Sequence, residues 1–402
     1  MRNYRYRIYP SKRQQNKLNA QMKLSKQAYN FLLEKAKEKY KKERKTLSKY
    51  DMNKLLLILK QTNPEYNTLH SQALQNISDR VSKAYSNFFR RIKERKRGKK
   101  VKAGYPRYKQ HVISLTYPQS GFSFTSDKRI FLSKTGSMLI SLHRPPKGEL
   151  KTLTIKTSPS NKWHIAITCN IPKTQFKPNR KPAAGLDAGI TNFATLSNSI
   201  KFPNPKFLNK ALPKLKTLNQ SFSRKKKKSN NRKKAKFKLS LFHEKIENSR
   251  NDFLHKLSNI LTNSYSIIAI EKLNVKNMLK NSYLSRSIMD ASWASFIAML
   301  CYKAESAGCR VFAINPKNTT KKCSNCGNLQ EMPLNKRVYN CPSCGMSADR
   351  DVNAAKNIIN SVLLGHYAVG HTVKACLKRA STPNPVFGAS NFNEAGTINQ
   401  VC

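Results

Sequence analysis

The chain has 402 residues, 39% of them hydrophobic, enough to build cores for two or three domains. Lysine and arginine number 77 against 20 aspartates and glutamates, and the resulting formal net charge of +57 repels itself unless a polyanion neutralises it. No apolar run approaches ~18 residues and the cations are spread along the whole length, so a membrane partner is set aside and nucleic acid is the expected counter-charge.

The opening MRNYRYRIYPSKRQQ has neither the apolar core nor the small-residue cleavage site of a secretory signal, which predicts a cytoplasmic protein. In it, Tyr4, Tyr6 and Ile8 alternate as in a strand, and Pro10 with Ser11 opens a helical stretch. Helices are expected from there to about residue 100. The clearest carries Leu74, Ile77, Val81, Ala84, Tyr85, Phe88 and Ile92 at three- and four-residue spacing, a core stripe rather than a cofactor box. The basic stretch RRIKERKRGKKVK follows it and suits phosphates better than a merely solvated face. From GYPRYK at 104 to about 170 the pattern turns to short alternating runs: 130–133, 138–142, 153–157 and 163–168. These predict a small antiparallel sheet or barrel. The isolated first strand is expected to join it, making the helices an insertion. The Pro- and Lys-rich segment KTQFKPNRKPAA then leads into an α/β region beginning near Ala183, where apolar strands alternate with amphipathic helices. Within it, the basic run at 223–238 precedes a helix through Ile246, Phe253, Leu254 and Leu257 and is read as a second nucleic-acid contact. The tail from Ser381 is polar and nearly charge-free, as in disordered segments.

Four of the nine cysteines stand as Cys323-Ser-Asn-Cys326-Gly and Cys341-Pro-Ser-Cys344-Gly, with fourteen residues between the pairs. Each CxxC is followed by a glycine able to take positive φ, the arrangement of a zinc knuckle, and four thiolates leave no position for water. One structural zinc is therefore expected, in preference to a redox pair for which the thioredoxin-like context is missing. Cys169, Cys301, Cys309, Cys376 and Cys402 have no partner spacing. Among the few acids, Asp187 ends the run AAGLD and Glu271 ends IIAIE. An acid at the end of a buried strand is costly without a compensating cation, so the two suggest a metal site. Asp351 opens a helical pattern seven residues after Cys344; as a residue alone it serves equally as ligand or N-cap, and Asp349 could cap instead. If all three acids meet at one sheet edge, they suit two Mg²⁺ ions and phosphodiester hydrolysis. No Walker loop, GxSxG elbow or HExxH motif competes.

GLDAGITNFATLS, IAIEKLNVKNM and CSNCG…CPSCG…ADRDVNAAKNI, in this order, resemble the TnpB (OrfB) proteins of insertion sequences, relatives of the type V CRISPR effectors. The resemblance spans nearly the whole chain, with GYPRYK, GSMLISLHRPPKG, NSRNDFLHKLS and LSRSIMDASWASF agreeing as well. It implies an RNA-guided DNA endonuclease whose catalytic acids are Asp187, Glu271 and Asp351. Its partners are then target DNA and a guide RNA derived from the transposon end, without a membrane or small-molecule substrate. The implied fold is α/β: a ribonuclease-H-like (RuvC) nuclease domain at 183–316 and 346–365, interrupted by a zinc ribbon at 317–345. Before it stands a wedge-like β-barrel domain at 1–10 and 104–172, with a helical recognition insertion at 11–103, and after it a largely disordered tail at 366–402. Two departures touch activity level rather than metal ligands: Lys272 where an acidic or amide residue is common, and Ala348 where a histidine often stands. A catalytically silent RNA-guided regulator is the main rival, and the presence of all three acids weighs against it. A ribosomal-type zinc-ribbon RNA-binding protein explains charge and cysteines but not the acid-ended strands.

Overall fold

The computed structural model describes residues 1–365 apart from 127, 173–176 and 334; the polar tail, with Cys376 and Cys402, lies outside the described residues. The chain divides into two units, Met1–Lys173 and a second beginning at Thr174.

In the first unit, β1 (Arg2–Tyr9) buries Tyr4, Tyr6 and Ile8 on one face, and Ser11 caps the 32-residue α1 (Lys12–Glu43). The Ser11 hydroxyl accepts the Gln14 backbone N–H while the Gln14 side chain accepts that of Ser11, a reciprocal box that satisfies two otherwise orphaned donors. After α2 (Lys49–Thr62) and a 3₁₀ turn at Pro64–Thr68 comes α3 (Ser71–Lys96), whose buried residues include Leu74, Ile77, Val81 and Tyr85. Six further strands follow: β2 (Ser114–Pro118), β3 (Phe122–Ser126), β4 (Arg129–Leu132), β5 (Gly136–Ser141), β6 (Glu149–Thr157) and β7 (Trp163–Asn170). They form an antiparallel sheet in the order β2-β6-β7-β1-β5-β4-β3. The first strand thus lies inside this sheet, with Tyr6 opposite Ile165 and Ile8 opposite Ile140, and the helices sit between two strands of one sheet. β2 and β3, consecutive in the chain, occupy opposite edges, so the sheet is a half-barrel. Their runs, SLTYP and FSFTS, are too short and polar to stand out by alternation alone. Arg80 of α3 joins helix to sheet, its guanidinium donating to the Ser114 carbonyl (3.1 Å) and the Thr116 hydroxyl (3.0 Å).

The second unit is built on a five-stranded sheet of β8 (Ala183–Asp187), β9 (Asn192–Leu196), β10 (Lys201–Pro203), β11 (Ile267–Glu271) and β12 (Arg310–Ile314). The order is β10-β9-β8-β11-β12, with β8, β11 and β12 parallel and β9 and β10 antiparallel. Between β10 and β11, α4 (Phe207–Ser223) and α5 (Asn230–Ser264) form a hairpin with a small core of Leu215, Phe222, Leu239 and Ile246. The basic run crosses its tip. There Arg232 has a structural task, lying 4.1 Å over the Phe222 ring and donating to the Phe222 and Lys225 carbonyls, whereas Lys225 to Lys228 are exposed. After β11 come α6 (Val275–Met278), α7 (Ser282–Ala291) and α8 (Trp293–Ala307). Beyond β12 lie a two-stranded ladder, β13 (Val338–Asn340) with β14 (Ser347–Asp349), and α9 (Arg350–Leu363).

Side chains alternate across a sheet, and here the two faces have different covers. Leu186 and Ile270 pack with Leu254, Leu257, Phe296 and Leu300 of α5 and α8. On the other face Ala269, Phe312 and Ile314 pack with Ile358, Ile359 and Val362 of α9. Gly185 permits that second contact: a Cβ there would lie 1.9 Å from the Ala355 carbonyl oxygen. Gly185→Ala is therefore expected to push α9 off the sheet and destabilise the unit by about 3 kcal/mol or more, read as a lowered denaturant midpoint.

Candidate active site and metal centre

β8 and β11 run parallel with Leu186 opposite Ile270, so Asp187 and Glu271 stand side by side at the carboxyl ends of adjacent strands. Both follow the alternation onto the face that α9 covers. Since Ala355 and Ile359 of α9 pack on Gly185, the helix runs back along β8. One helical turn toward its N-terminus, about 6 Å, matches two strand residues, about 6.6 Å, and this brings Asp351 beside Asp187. The three acids are brought together, although 84 and 80 residues separate them along the chain.

The choice left open between Asp349 and Asp351 is resolved by the cap. Asp349 Oδ1 accepts the backbone N–H groups of Asp351 (2.9 Å) and Val352 (3.1 Å), and its other oxygen takes Lys201 Nζ at 2.7 Å. Asp351 is thereby released from capping and lies 3.4 Å from the Arg350 guanidinium. Glu271 accepts a short hydrogen bond from the Thr319 hydroxyl, 2.5 Å.

Electrostatically, Asp187 is an acid in want of a cation. Burial, followed by the negative charges of Glu271 and Asp351, pushes its carboxyl up to about 7, against weaker opposing effects of Arg350 and the Ala188 N–H. Burial also raises Glu271, the Thr319 hydroxyl partly offsetting it. A raised folded-state value means that the cost of ionising Asp187 is absent below about pH 4, grows between about 4 and 7, and is complete above. Magnesium-free protein is accordingly expected to lose on the order of 3 kcal/mol between about pH 5 and pH 8, a loss that Asp187→Asn removes. Urea melts at pH 5 and pH 8 compare the two directly. Carboxylate oxygens beside one another in a half-buried corner are a donor set suited to hard divalent cations, so these residues fit Mg²⁺.

The cysteines form a separate centre. Both knuckles repeat one turn: Gly327 N–H bonds the Cys323 carbonyl (3.1 Å) and Gly345 N–H the Cys341 carbonyl (3.0 Å), with φ of 80° and 68° at the glycines. Cys323 N–H then reaches the Asn328 carbonyl and Cys341 N–H the Met346 carbonyl, both at 2.8 Å. The four sulfurs all lie within 4.8 Å of one another. Cys323 and Cys344 are 3.7 Å apart and Cys326 and Cys341 3.5 Å, against about 3.8 Å expected for a tetrahedron with Zn–S bonds of 2.3 Å. The Met346 N–H, then the Asn325 amide, hold the Cys344 thiol down at about 6. The donor set fits zinc.

Several residues that hold these parts went unread in the sequence. Asn353 and Asn357 of α9 are buried, and they donate to the Lys322 carbonyl at 2.8 and 2.6 Å. A pair of asparagines four apart within an otherwise apolar helical stripe was the available signal. Thr319 offered none. Outside the zinc centre, Cys169, Cys301 and Cys309 are buried thiols that form no disulfide.

Family profiles match three parts of the chain: one described as "Probable transposase" over residues 166–282, one as "Cas12f1-like, TNB domain" over 293–358, and one as "Helix-turn-helix domain" over 1–45. The last covers β1 and the uninterrupted α1. A Streptomyces pristinaespiralis protein titled "Putative RNA-guided DNA endonuclease" is 34% identical, covering 93% of this chain and 90% of its own. The chain belongs to the TnpB (OrfB) family. A second member, from Escherichia coli K12 and titled "Putative RNA-guided DNA endonuclease InsQ", is 33% identical over 79% of this chain and 78% of its own. The fold is also similar to that of the protein in a Cas12f1–sgRNA–target DNA complex: TM-score 0.52, 16% identity, 85% of this chain and 81% of that one. TnpB membership thus accounts for both units and not for the acid-bearing sheet alone.

Proposed function

We propose that this chain is an RNA-guided DNA endonuclease encoded by a transposable element, acting in the cytoplasm on DNA. The observation that carries the reading is the meeting of Asp187, Glu271 and Asp351 at one sheet edge, where burial and the charges of the other two acids push the Asp187 carboxyl up. Two relatives titled "Putative RNA-guided DNA endonuclease", matched over 90% and 78% of their own length, support the substrate class. The strand order β10-β9-β8-β11-β12, with two antiparallel strands beside three parallel ones, supports a ribonuclease-H-like (RuvC) domain at 183–316 and 346–365. The zinc ribbon is 317–345. Residues 1–10 and 104–172 form the wedge-like domain that, with the helical insertion 11–103, holds guide RNA and target; the net charge of +57 supplies their counter-charge.

In this reading Asp187, Glu271 and Asp351 hold two Mg²⁺, which when bound supply an activated water and stabilise the leaving oxygen of the phosphodiester. The residues themselves do three things. Asp187 and Glu271, on adjacent parallel strands, offer oxygens from a rigid floor. Asp351 offers another from a helix whose cap, Asp349, satisfies the first-turn N–H groups in its place. The packing of α9 on Gly185 keeps the three in register. The deciding experiment is to express the chain with its downstream flank, sequence the copurified RNA, and incubate the complex with Mg²⁺ and a matched plasmid library of randomised flanks. Cleavage that requires Mg²⁺ and a guide match is the expected result. Bound RNA and target binding without cleavage would turn the reading to a silent regulator, and absence of RNA would overturn the guided mechanism.

A further inference from the structure

The segment between β12 and the first zinc cysteine carries polar groups that face two ways. Thr319 is 7% exposed, and its hydroxyl donates to Glu271 Oε1 at 2.5 Å, with the Pro316 carbonyl a more distant alternative at 3.2 Å. A hydroxyl has one proton to give, so Oε1 is the oxygen it engages. The Thr319 carbonyl in turn accepts the side-chain amide of Asn357 at 2.9 Å, and the same amide reaches the Lys322 carbonyl at 2.6 Å. One turn earlier on α9, Asn353 clamps the backbone on both sides of Cys323. Its amide donates to the Lys322 carbonyl at 2.8 Å, and its oxygen accepts the Ser324 N–H at 2.9 Å. Asn353 is fully buried and lies two residues from Asp351 on the same helix.

These bonds form one continuous path: Cys323 backbone, Asn353 and Asn357 of α9, Thr319, Glu271. We propose that Thr319 is a positioning residue for the acid site, setting which Glu271 oxygen is presented to the divalent cation. Through Asn353 and Asn357, the first zinc knuckle holds Thr319 in place. The inference rests on the acid-site reading above. A polar partner that orients a metal-binding carboxylate commonly carries roughly ten- to a hundredfold in metal affinity or activity, although it never touches the ion. Thr319 meets that description, and nothing in its neighbourhood gives the hydroxyl a shorter bond elsewhere.

The test uses the full chain purified with its RNA, as wild type, Thr319→Val, Thr319→Ala and Thr319→Ser. Mn²⁺ binding is followed by electron paramagnetic resonance as the amount in excess of that held by the Asp187→Ala complex, which cancels ions on the RNA. Thr319→Val and Thr319→Ala are expected to weaken this site-specific binding about tenfold or more and to raise half-saturating Mg²⁺ for cleavage by a similar factor. Zinc content should stay at the wild-type level, and Thr319→Ser should restore both metal readouts. A purely structural role predicts lowered zinc or thermal stability with unchanged metal affinity. Equal Mn²⁺ binding in wild type and in both hydroxyl-free variants would overturn the inference and leave the acid site standing. No excess binding by wild type over Asp187→Ala would overturn the acid-site reading and the inference with it.

Discussion

Asp187→Ala is expected to lower target cleavage by on the order of 10³-fold or more while leaving copurified RNA and target binding close to wild type. The size follows from what is removed: a carboxylate held against two others at one sheet edge, where loss of a cation forfeits several kcal/mol of transition-state stabilisation. Retention of binding follows from charge, since one acid among 20 hardly alters a chain carrying 77 lysines and arginines. Glu271→Ala should behave alike, because it stands in register beside Asp187 on the next parallel strand. Folding should not suffer. Removing a half-buried acid pushed up to about 7 by desolvation and by its acidic neighbours relieves a penalty, so the Asp187 variant should melt no lower than wild type in magnesium-free buffer at pH 8. Gel-shift, cleavage and melting measurements on one preparation separate these outcomes, and cleavage at the wild-type rate would remove Asp187 from the site.

Much of this site was legible from residue order because its signals are local. An acid terminating an apolar run is conspicuous in a chain with so few acids, and paired CxxC-Gly knuckles declare a tetrahedral thiolate site by spacing alone. What spacing cannot convey is which of two neighbouring aspartates a helix uses as its cap. Asp349 and Asp351 are interchangeable as letters, and only the Asp349 bonds to the N–H groups of 351 and 352, with Lys201 arriving from a distant strand, divide their work. Thr319 was invisible for a similar reason: its partner Glu271 is 48 residues away, and no period connects them. In the first unit the helix α3 was readable because seven apolar residues repeat on one face. β2 and β3 were not, since each is five residues long and half polar, and their place at the sheet edges is decided by partners remote in sequence. The basic run at 223–238 shows the limit of charge as a guide, because Arg232 within it closes the α4–α5 hairpin against Phe222.

Cys323→Ser or Cys341→Ser should give the opposite pattern to the acid variants: zinc, stability and cleavage lost together. Structural zinc contributes folding free energy directly, and 317–345 has little else to hold it. Its one strand, β13, pairs over three residues with β14 just beyond the segment, and its small apolar core is Tyr339 and Met332, joined by Met346, around Cys323 and Cys341. Without the metal this segment is expected to become the first site of limited proteolysis, and the melting temperature of the second unit to fall by several degrees. Cleavage should fall further than stability does. The bonds from Asn353 and Asn357 tie the backbone around Cys323 to the helix that carries Asp351, and Thr319 in the same stretch holds Glu271, so loosening the knuckle disturbs two of the three acids at once. Atomic emission for zinc, a proteolysis time course and a cleavage assay measure the three effects independently. A cysteine variant that kept full zinc and wild-type melting would overturn the ribbon assignment. One that lost zinc yet cleaved at the wild-type rate would show that the ribbon and the acid edge work independently.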